Sequence, residues 1–274
     1  MRNTVISLLR ERGILLCAPL PIAQCRITRP YLLERAGITD GTVFVFAVPY
    51  YTTLHDDISR NISAYAVSRD YHLFFSQLFD DLLPLLQDAF PKNRFAGFSD
   101  HSPISEAEAA VKAGLGVFGK NHLFLTKEHS SFVFLGELIT DAVLPCEAKE
   151  LSLCTDCGAC LHACPVGLDV SRCLSALTQK KGTLSEEECD AIRKGGSLWG
   201  CDRCQEVCPV TKAARDAGTL YSNVPFFAEA TLPHLDSGTL FSMSDEEFSK
   251  RAFAWRGRAV IARNIKLLEK EDLR

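Results

Sequence analysis

A membrane-spanning run is the first thing absent from this sequence. No stretch approaches the roughly 20 consecutive apolar residues that carry a helix across a bilayer, although apolar types make up 47% of the 274 residues. That content supports a substantial core, and without a spanning run no membrane partner is expected. A dominant charge is absent too. The chain has 30 Lys and Arg against 34 Asp and Glu, for a formal charge of −4. No global basic field therefore recruits nucleic acid, and any such contact must rest on a local patch. No export leader is visible, because Arg10, Glu11 and Arg12 interrupt the apolar run of MRNTVISLLRERG. That stretch reads instead as a short amphipathic helix ended by Gly13. The expectation is a soluble chain in a reducing, cytoplasmic setting.

Cysteine, by contrast, is plentiful, and eight of the twelve cysteines lie between Cys154 and Cys208. Cys154, Cys157, Cys160 and Cys164 form C-x2-C-x2-C-x3-C-P, and Cys201, Cys204 and Cys208 form C-x2-C-x3-C-P. The first run matches the bacterial two-cluster ferredoxin pattern, in which the fourth cysteine serves the other cluster. Three thiolates in one tight turn hold three corners of a cubane, and the fourth faces away toward a neighbour. On this pattern Cys154, Cys157, Cys160 and Cys208 hold one [4Fe–4S] cluster. Cys164, Cys201 and Cys204 hold the second, and Cys173 is the best candidate for its missing ligand. Cys189 is the rival, but it sits in the acidic run EEECD, where carboxylates give a negative cluster no help. Zinc prefers two separated C-x2-C pairs in a tetrahedron, and disulfides need an oxidising compartment; both fit this pattern poorly. Cys17, Cys25, Cys146 and Cys189 are assigned no role beyond packing.

Along the rest of the chain, Pro19, Pro21 and Pro30 break up residues 14–40. VFVFAV (43–48) is a continuous apolar, β-rich run, the mark of a strand buried on both faces. Ile62, Tyr65, Leu73, Phe74, Leu78, Leu82, Leu85 and Leu86 recur at helical spacing from Arg60 to about Phe90, with Pro84 a point of kinking or division. Ser105 and Glu108 carry the S-x-x-E signature of a capping box. GLGVFGKN follows, but its spacing is neither G-x-G-x-x-G after a strand nor a P-loop. HLFLT and SFVFLGELI read as strands. The fold class expected is α+β or α/β. A mixed α/β domain spans 1–145, a ferredoxin-like double [4Fe–4S] domain spans 146–215, and a helical segment (216–274) packs on the core.

At this point the residues carry a resemblance. SRDYH (68–72), SDHSPISEAEAAVKAGLGVFGKN (99–121), FLGELITD (134–141), the cysteine pattern with RCLSALTQKKG, GCDRCQEVCP and RGRAVIARN together resemble the epoxyqueuosine reductases. The match runs from about Val43 to Asn264. The GKN, LGEL and GCDxCQxxCP blocks in fixed order make it specific, since a generic ferredoxin would share the cysteines alone. The resemblance implies a cobalamin enzyme with two [4Fe–4S] clusters, related to reductive dehalogenases, that removes the epoxide oxygen of epoxyqueuosine in tRNA. An outside flavodoxin or ferredoxin would supply electrons singly. Deoxygenating an epoxide takes two electrons and two protons, and a departing oxygen needs a general acid.

The resemblance places Asp100 at the family's catalytic aspartate, with burial expected to raise its pKa; without the resemblance it reads as a helix cap. Arg69 and Tyr71 fall on the motif that lies near the corrin, and Lys120, Asn121, Leu135, Gly136 and Asp202 are further cofactor contacts. An ordinary ion pair is the competing reading of Lys120 and Asp202. His72 is expected to be packed or hydrogen-bonded and not a cobalt ligand. Nothing like the helical-repeat tail of some members follows Asn264. Lys250, Arg251, Arg256, Arg258, Arg263 and Lys266 offer a local basic patch for tRNA, or else a solvated helix face. Two alternatives stay open: the same machinery turned on a small molecule, or a cluster-only electron-transfer protein. Asp100, GKN and LGEL argue against the second, which has no use for them.

Overall fold

A computed structural model of the chain describes residues 1–146 and 150–269. Its centre is a four-stranded sheet built from β1 (Leu16–Pro21), β2 (Thr42–Pro49), β3 (Phe95–Phe98) and β6 (Val133–Thr140), in the order β1-β2-β6-β3. Every neighbouring pair is antiparallel, so the sheet is of α+β type and has no βαβ crossover. The VFVFAV run behaves as its composition demands. All of β2 is buried, with Phe44, Phe46 and Val48 on one apolar cluster and Val43 and Val45 on the other. Alternation on a pleated strand sends the two sets to opposite faces.

Helices cover both faces. On one lie α1 (Arg2–Arg10) and α3 (Tyr71–Ala89), which contribute Val5, Leu9, Phe74, Phe75, Leu78, Leu82 and Leu86. On the other lie α2 (Pro30–Ala36) and α4 (Glu106–Lys112), with Leu33, Ala109 and Ala110. A small ribbon of β4 (Val117–Phe118) and β5 (Phe124–Leu125) follows α4.

Several sequence expectations are corrected here. β1 keeps Pro19 and Pro21 because it is an edge strand, where a missing N–H breaks no ladder. The helix expected from Arg60 begins only at Tyr71, capped by Asp70, whose side chain accepts the His72 N–H. Pro84 stands exposed inside α3 without dividing it. The Ser105–Glu108 box does not form. Glu108 pairs with Arg26 at 2.8 Å, and the Ser105 hydroxyl accepts from the same guanidinium.

The cysteine-bearing segment holds α5 (Ala159–Ala163), α6 (Leu174–Gln179), α7 (Glu186–Gly195), α8 (Arg203–Glu206) and α9 (Pro209–Asp216), and the chain closes with α10 (Ser237–Ser242), α11 (Asp245–Ser249) and α12 (Arg258–Glu269). The apolar clusters cross the boundaries drawn from sequence. Ala214, Leu220, Val224, Phe226 and Phe227 join α1, α3 and the sheet. Ile62, Ala66 and Val67 join Trp199, Phe248, Phe253 and Ile261. Among the described residues no helix is long and apolar enough to cross a membrane.

Candidate active site and cluster cysteines

The loop between β3 and α4 carries Asp100. Its φ is 65°, a left-handed conformation that aspartate tolerates better than most residues. Its backbone N–H donates to Glu106 Oε1 at 2.7 Å. The first turn of α3 supplies two partners for its side chain. Tyr71 donates its hydroxyl to Asp100 Oδ2 at 2.5 Å, and His72 Nε2 lies 3.2 Å from the same oxygen. His72 Nδ1 is 2.8 Å from Asp70 Oδ1. Both ring nitrogens are thus engaged, and His72 is hydrogen-bonded as expected. The Tyr71 ring stacks on Phe134 (4.2 Å), which stacks on Tyr50 (4.4 Å).

The electrostatics reverse one expectation. The hydrogen bond from His72 holds the Asp100 carboxyl below its usual range; burial opposes this, and the Tyr71 hydroxyl reinforces it. The bonds to Asp100 and then Asp70 push His72 up to about 10. Burial, then the bond to Asp100, raises Tyr71. At neutral pH the arrangement is an Asp100 carboxylate beside a His72 imidazolium, so the proton sits next to the aspartate rather than on it.

The remaining expected cofactor contacts scatter. The Leu135 side chain points to the opposite face, with Val133 and Ile139, while its carbonyl accepts from Ser99 Oγ at 3.1 Å. Gly136 is buried against the sheet's aromatic cover: a Cβ there would lie 2.5 Å from Phe75 and 2.8 Å from Phe46. Arg69 turns to the C-terminal segment, pairing with Glu229 (2.7 Å) and stacking over Phe226. Lys120 pairs with Asp156 at 2.7 Å, the competing reading of that residue. Asn121 donates to the Cys204 carbonyl and accepts from the Leu123 N–H. Asp202 is buried and accepts from Arg60 (2.7 Å), Ser63 (2.5 Å), the Ala64 N–H (2.7 Å) and Gln205 (2.9 Å). Those four bonds fill a carboxylate's acceptor positions, so Asp202 joins the cysteine segment to residues 60–64 instead of facing outward.

The eight cysteines separate into two groups of four. Cys154, Cys157, Cys160 and Cys208 line one cavity of 280 Å³ whose wall also includes Lys120 and Asn121. Cys204 is pushed up to about 12 by burial first and then by its neighbours Cys201, Cys164 and Cys173. Cys173 also acts on Cys201, whereas Cys189 packs on Leu174, Leu184 and Ile192. Among the described residues no three metal-ligating side chains converge tightly enough for one ion. Two groups of four soft thiols fit iron–sulfur ligation.

The basic C-terminal patch is largely engaged within the protein. Lys250 pairs with Glu246, Arg251 donates to the Ala230 carbonyl, Arg258 to those of Leu240 and Met243, and Arg263 to those of Lys180 and Gly182. Arg256 lies over the exposed ring of Trp255.

Sequence reasoning missed Glu106 and Glu137 as site residues. Glu137 is completely buried in β6, and burial, followed by Glu106, raises its pKa. The available signal was a carboxylate inside the apolar run FLGELI.

No protein-family model matches the chain. It is 37% identical over 199 residues to the epoxyqueuosine reductase of Pseudomonas aeruginosa, a match covering 69% of this chain and 54% of that protein. The chain spans about half the length of the curated relatives it matches. Its fold is that of solved epoxyqueuosine reductases. One, in complex with a tRNA-Tyr stem loop carrying the epoxyqueuosine modification, superposes with a TM-score of 0.76 at 25% identity, over 97% of this chain and 80% of that one. Another, from Bacillus subtilis, was captured with its catalytic aspartate loop swung out of the active site, and superposes at 0.74 with the same identity and coverage.

Proposed function

We propose that this protein is an iron–sulfur and cobalamin-dependent reductase that removes the epoxide oxygen of epoxyqueuosine in tRNA. The carrying observation is the Asp100–His72–Tyr71 constellation between α3 and the loop after β3, in a chain whose cysteines between Cys154 and Cys208 sort into two groups of four. Cys154, Cys157, Cys160 and Cys208 would hold one [4Fe–4S] cluster, and Cys164, Cys173, Cys201 and Cys204 the other. The face bearing Tyr71 and Phe134 would receive the corrin, and Lys120 and Asn121 would stand beside the first cluster. That face offers aromatic walls and a proton source. Cobalamin, when bound, supplies the two-electron reduction that one-electron clusters cannot.

The chain's own residues handle the oxygen. Asp100 presents an open carboxylate whose partner His72 holds a transferable proton. A departing oxyanion draws that proton through or beside Asp100, and Tyr71 keeps the carboxylate oriented. Aspartate loop movement, reported for the B. subtilis relative, matches the position of Asp100 on a loop rather than on a helix or strand. A flavodoxin or ferredoxin would deliver electrons, and a reducing compartment such as the cytoplasm would keep the thiols free.

The deciding experiment is anaerobic reconstitution with iron, sulfide and cobalamin, then turnover on epoxyqueuosine-containing tRNA with a chemical reductant. Queuosine should form, and Asp100→Ala should slow it by about 10² to 10⁴, the usual worth of a general acid, with cluster and corrin spectra unchanged. Bound corrin without queuosine would move the search to a small-molecule substrate, and failure to bind corrin would sink the reading.

A further inference from the structure

Glu137 occupies an improbable place for a carboxylate. β6 turns Val133, Leu135 and Ile139 toward the apolar cluster under α2 and α4, and Glu137 falls in the same alternating row. It is fully buried, and neither of its oxygens has a conventional donor. Glu106 begins α4, the helix that packs on β6, and the two carboxyls act on each other electrostatically. Two carboxylates in contact away from water cannot both ionise. One proton shared between them would satisfy both, with Glu137 donating its O–H to Glu106, whose Oε1 accepts the Asp100 N–H.

We infer that Glu137 and Glu106 are a proton-sharing carboxyl pair that positions Asp100, setting its left-handed conformation through the backbone N–H. The pair's part in catalysis rests on the reductase reading above; its shared proton does not. The charged groups facing Glu106 are Asp100, Glu137 and Arg29. Those facing Glu137 are Glu106 and Asp100, together with the Ser102 hydroxyl, and Cys25 lies near it. Arg29 is tied to the Ser102 carbonyl at 3.0 Å. Arg29 is thus the positive group in this set, so loss of the shared proton at alkaline pH sets two carboxylates against each other behind Asp100 and loosens its loop.

Infrared spectroscopy of the purified chain, without cofactors, tests the proton directly. A protonated-carboxyl stretching band should be present at neutral pH, shift in D2O and vanish in Glu137→Gln. Hydrogen exchange tests the positioning. Glu106→Ala should speed exchange of the peptide containing Asp100 by about tenfold, the loss of one charge-assisted hydrogen bond. Glu106→Gln, which keeps an acceptor oxygen, should stay near the wild-type rate with unchanged far-ultraviolet circular dichroism. In turnover, Glu106→Ala should lower kcat and leave KM nearly alone, with Glu106→Gln restoring most of it. A missing carboxyl band, or unchanged exchange in Glu106→Ala, would overturn the inference. Both readouts stand even if no epoxide is ever reduced.

Discussion

Asp100 meets the proposed reaction as a carboxylate with a proton beside it, and that has consequences for pH. The folded-state pKa of His72 is raised from 6.5 to about 10. Between those values the folded chain holds a proton that the unfolded chain has released. Its contribution to stability is therefore complete below pH 6.5 and is lost as pH rises through about 10. The Asp100 shift runs the other way, from 3.8 downward, so its contribution disappears as pH falls below that value. Both side chains are about half exposed, and solvent screening keeps these effects small. Activity is the sharper probe. Replacing His72 with Gln leaves Asp100 to carry the proton itself, at a pKa nearer an ordinary carboxylate. The alkaline limb of the turnover profile should then move down by several pH units. An unmoved limb would show that His72 does not store the proton.

At the scale of elements, α3 can lie on the sheet because β6 has glycine where the Phe75 and Phe46 rings converge. Gly136→Ala forces those rings off their rotamers, and overpacking of this kind costs about 1–3 kcal/mol. Thermal denaturation should show a clear drop in Tm; an unchanged Tm would mean the rings yield freely. The same elements show what a sequence can disclose. VFVFAV was legible because a strand buried on both faces needs no knowledge of its neighbours. The cavity that Cys208 shares with Cys154, Cys157 and Cys160 was legible because three of those four cysteines are local. Residues 60–70 misled because Ile62 and Tyr65 have helical spacing, yet their apolar side chains serve Trp199 and its cluster across the chain. Ser105 and Glu108 misled for a similar reason, since a distant guanidinium outcompeted the local cap. The meeting of Glu106 with Glu137 depends on α4 crossing β6, which no local pattern encodes.

At the scale of the whole molecule, the question is whether the cysteine-bearing segment and the sheet stand or fall together. Asp202 sits between Cys201 and Arg203, yet three of its four partners, Arg60, Ser63 and the Ala64 N–H, come from the N-terminal half. Beside it the Ser63 N–H donates to the Trp199 carbonyl and the Leu198 N–H to the Asn61 carbonyl, each at 2.7 Å. The Asp202 and Arg60 side chains are 3% and 13% exposed, so removing one partner strands the other charge in a poorly solvated place. Breaking a buried pair in this way costs about 3–5 kcal/mol, and Asp202→Ala should lower the stability of the entire chain by that order. Because the contact is shared, the loss should appear in one transition: in a denaturant titration, tryptophan fluorescence and, once clusters are installed, visible absorbance should shift to lower midpoint together. Glu206 also pairs with Arg60 but is more exposed, so Glu206→Ala should move the midpoint far less. Two separated transitions in Asp202→Ala, with the sheet unaffected, would mean that the halves fold independently and that Asp202 organises only the turn between its flanking cysteines.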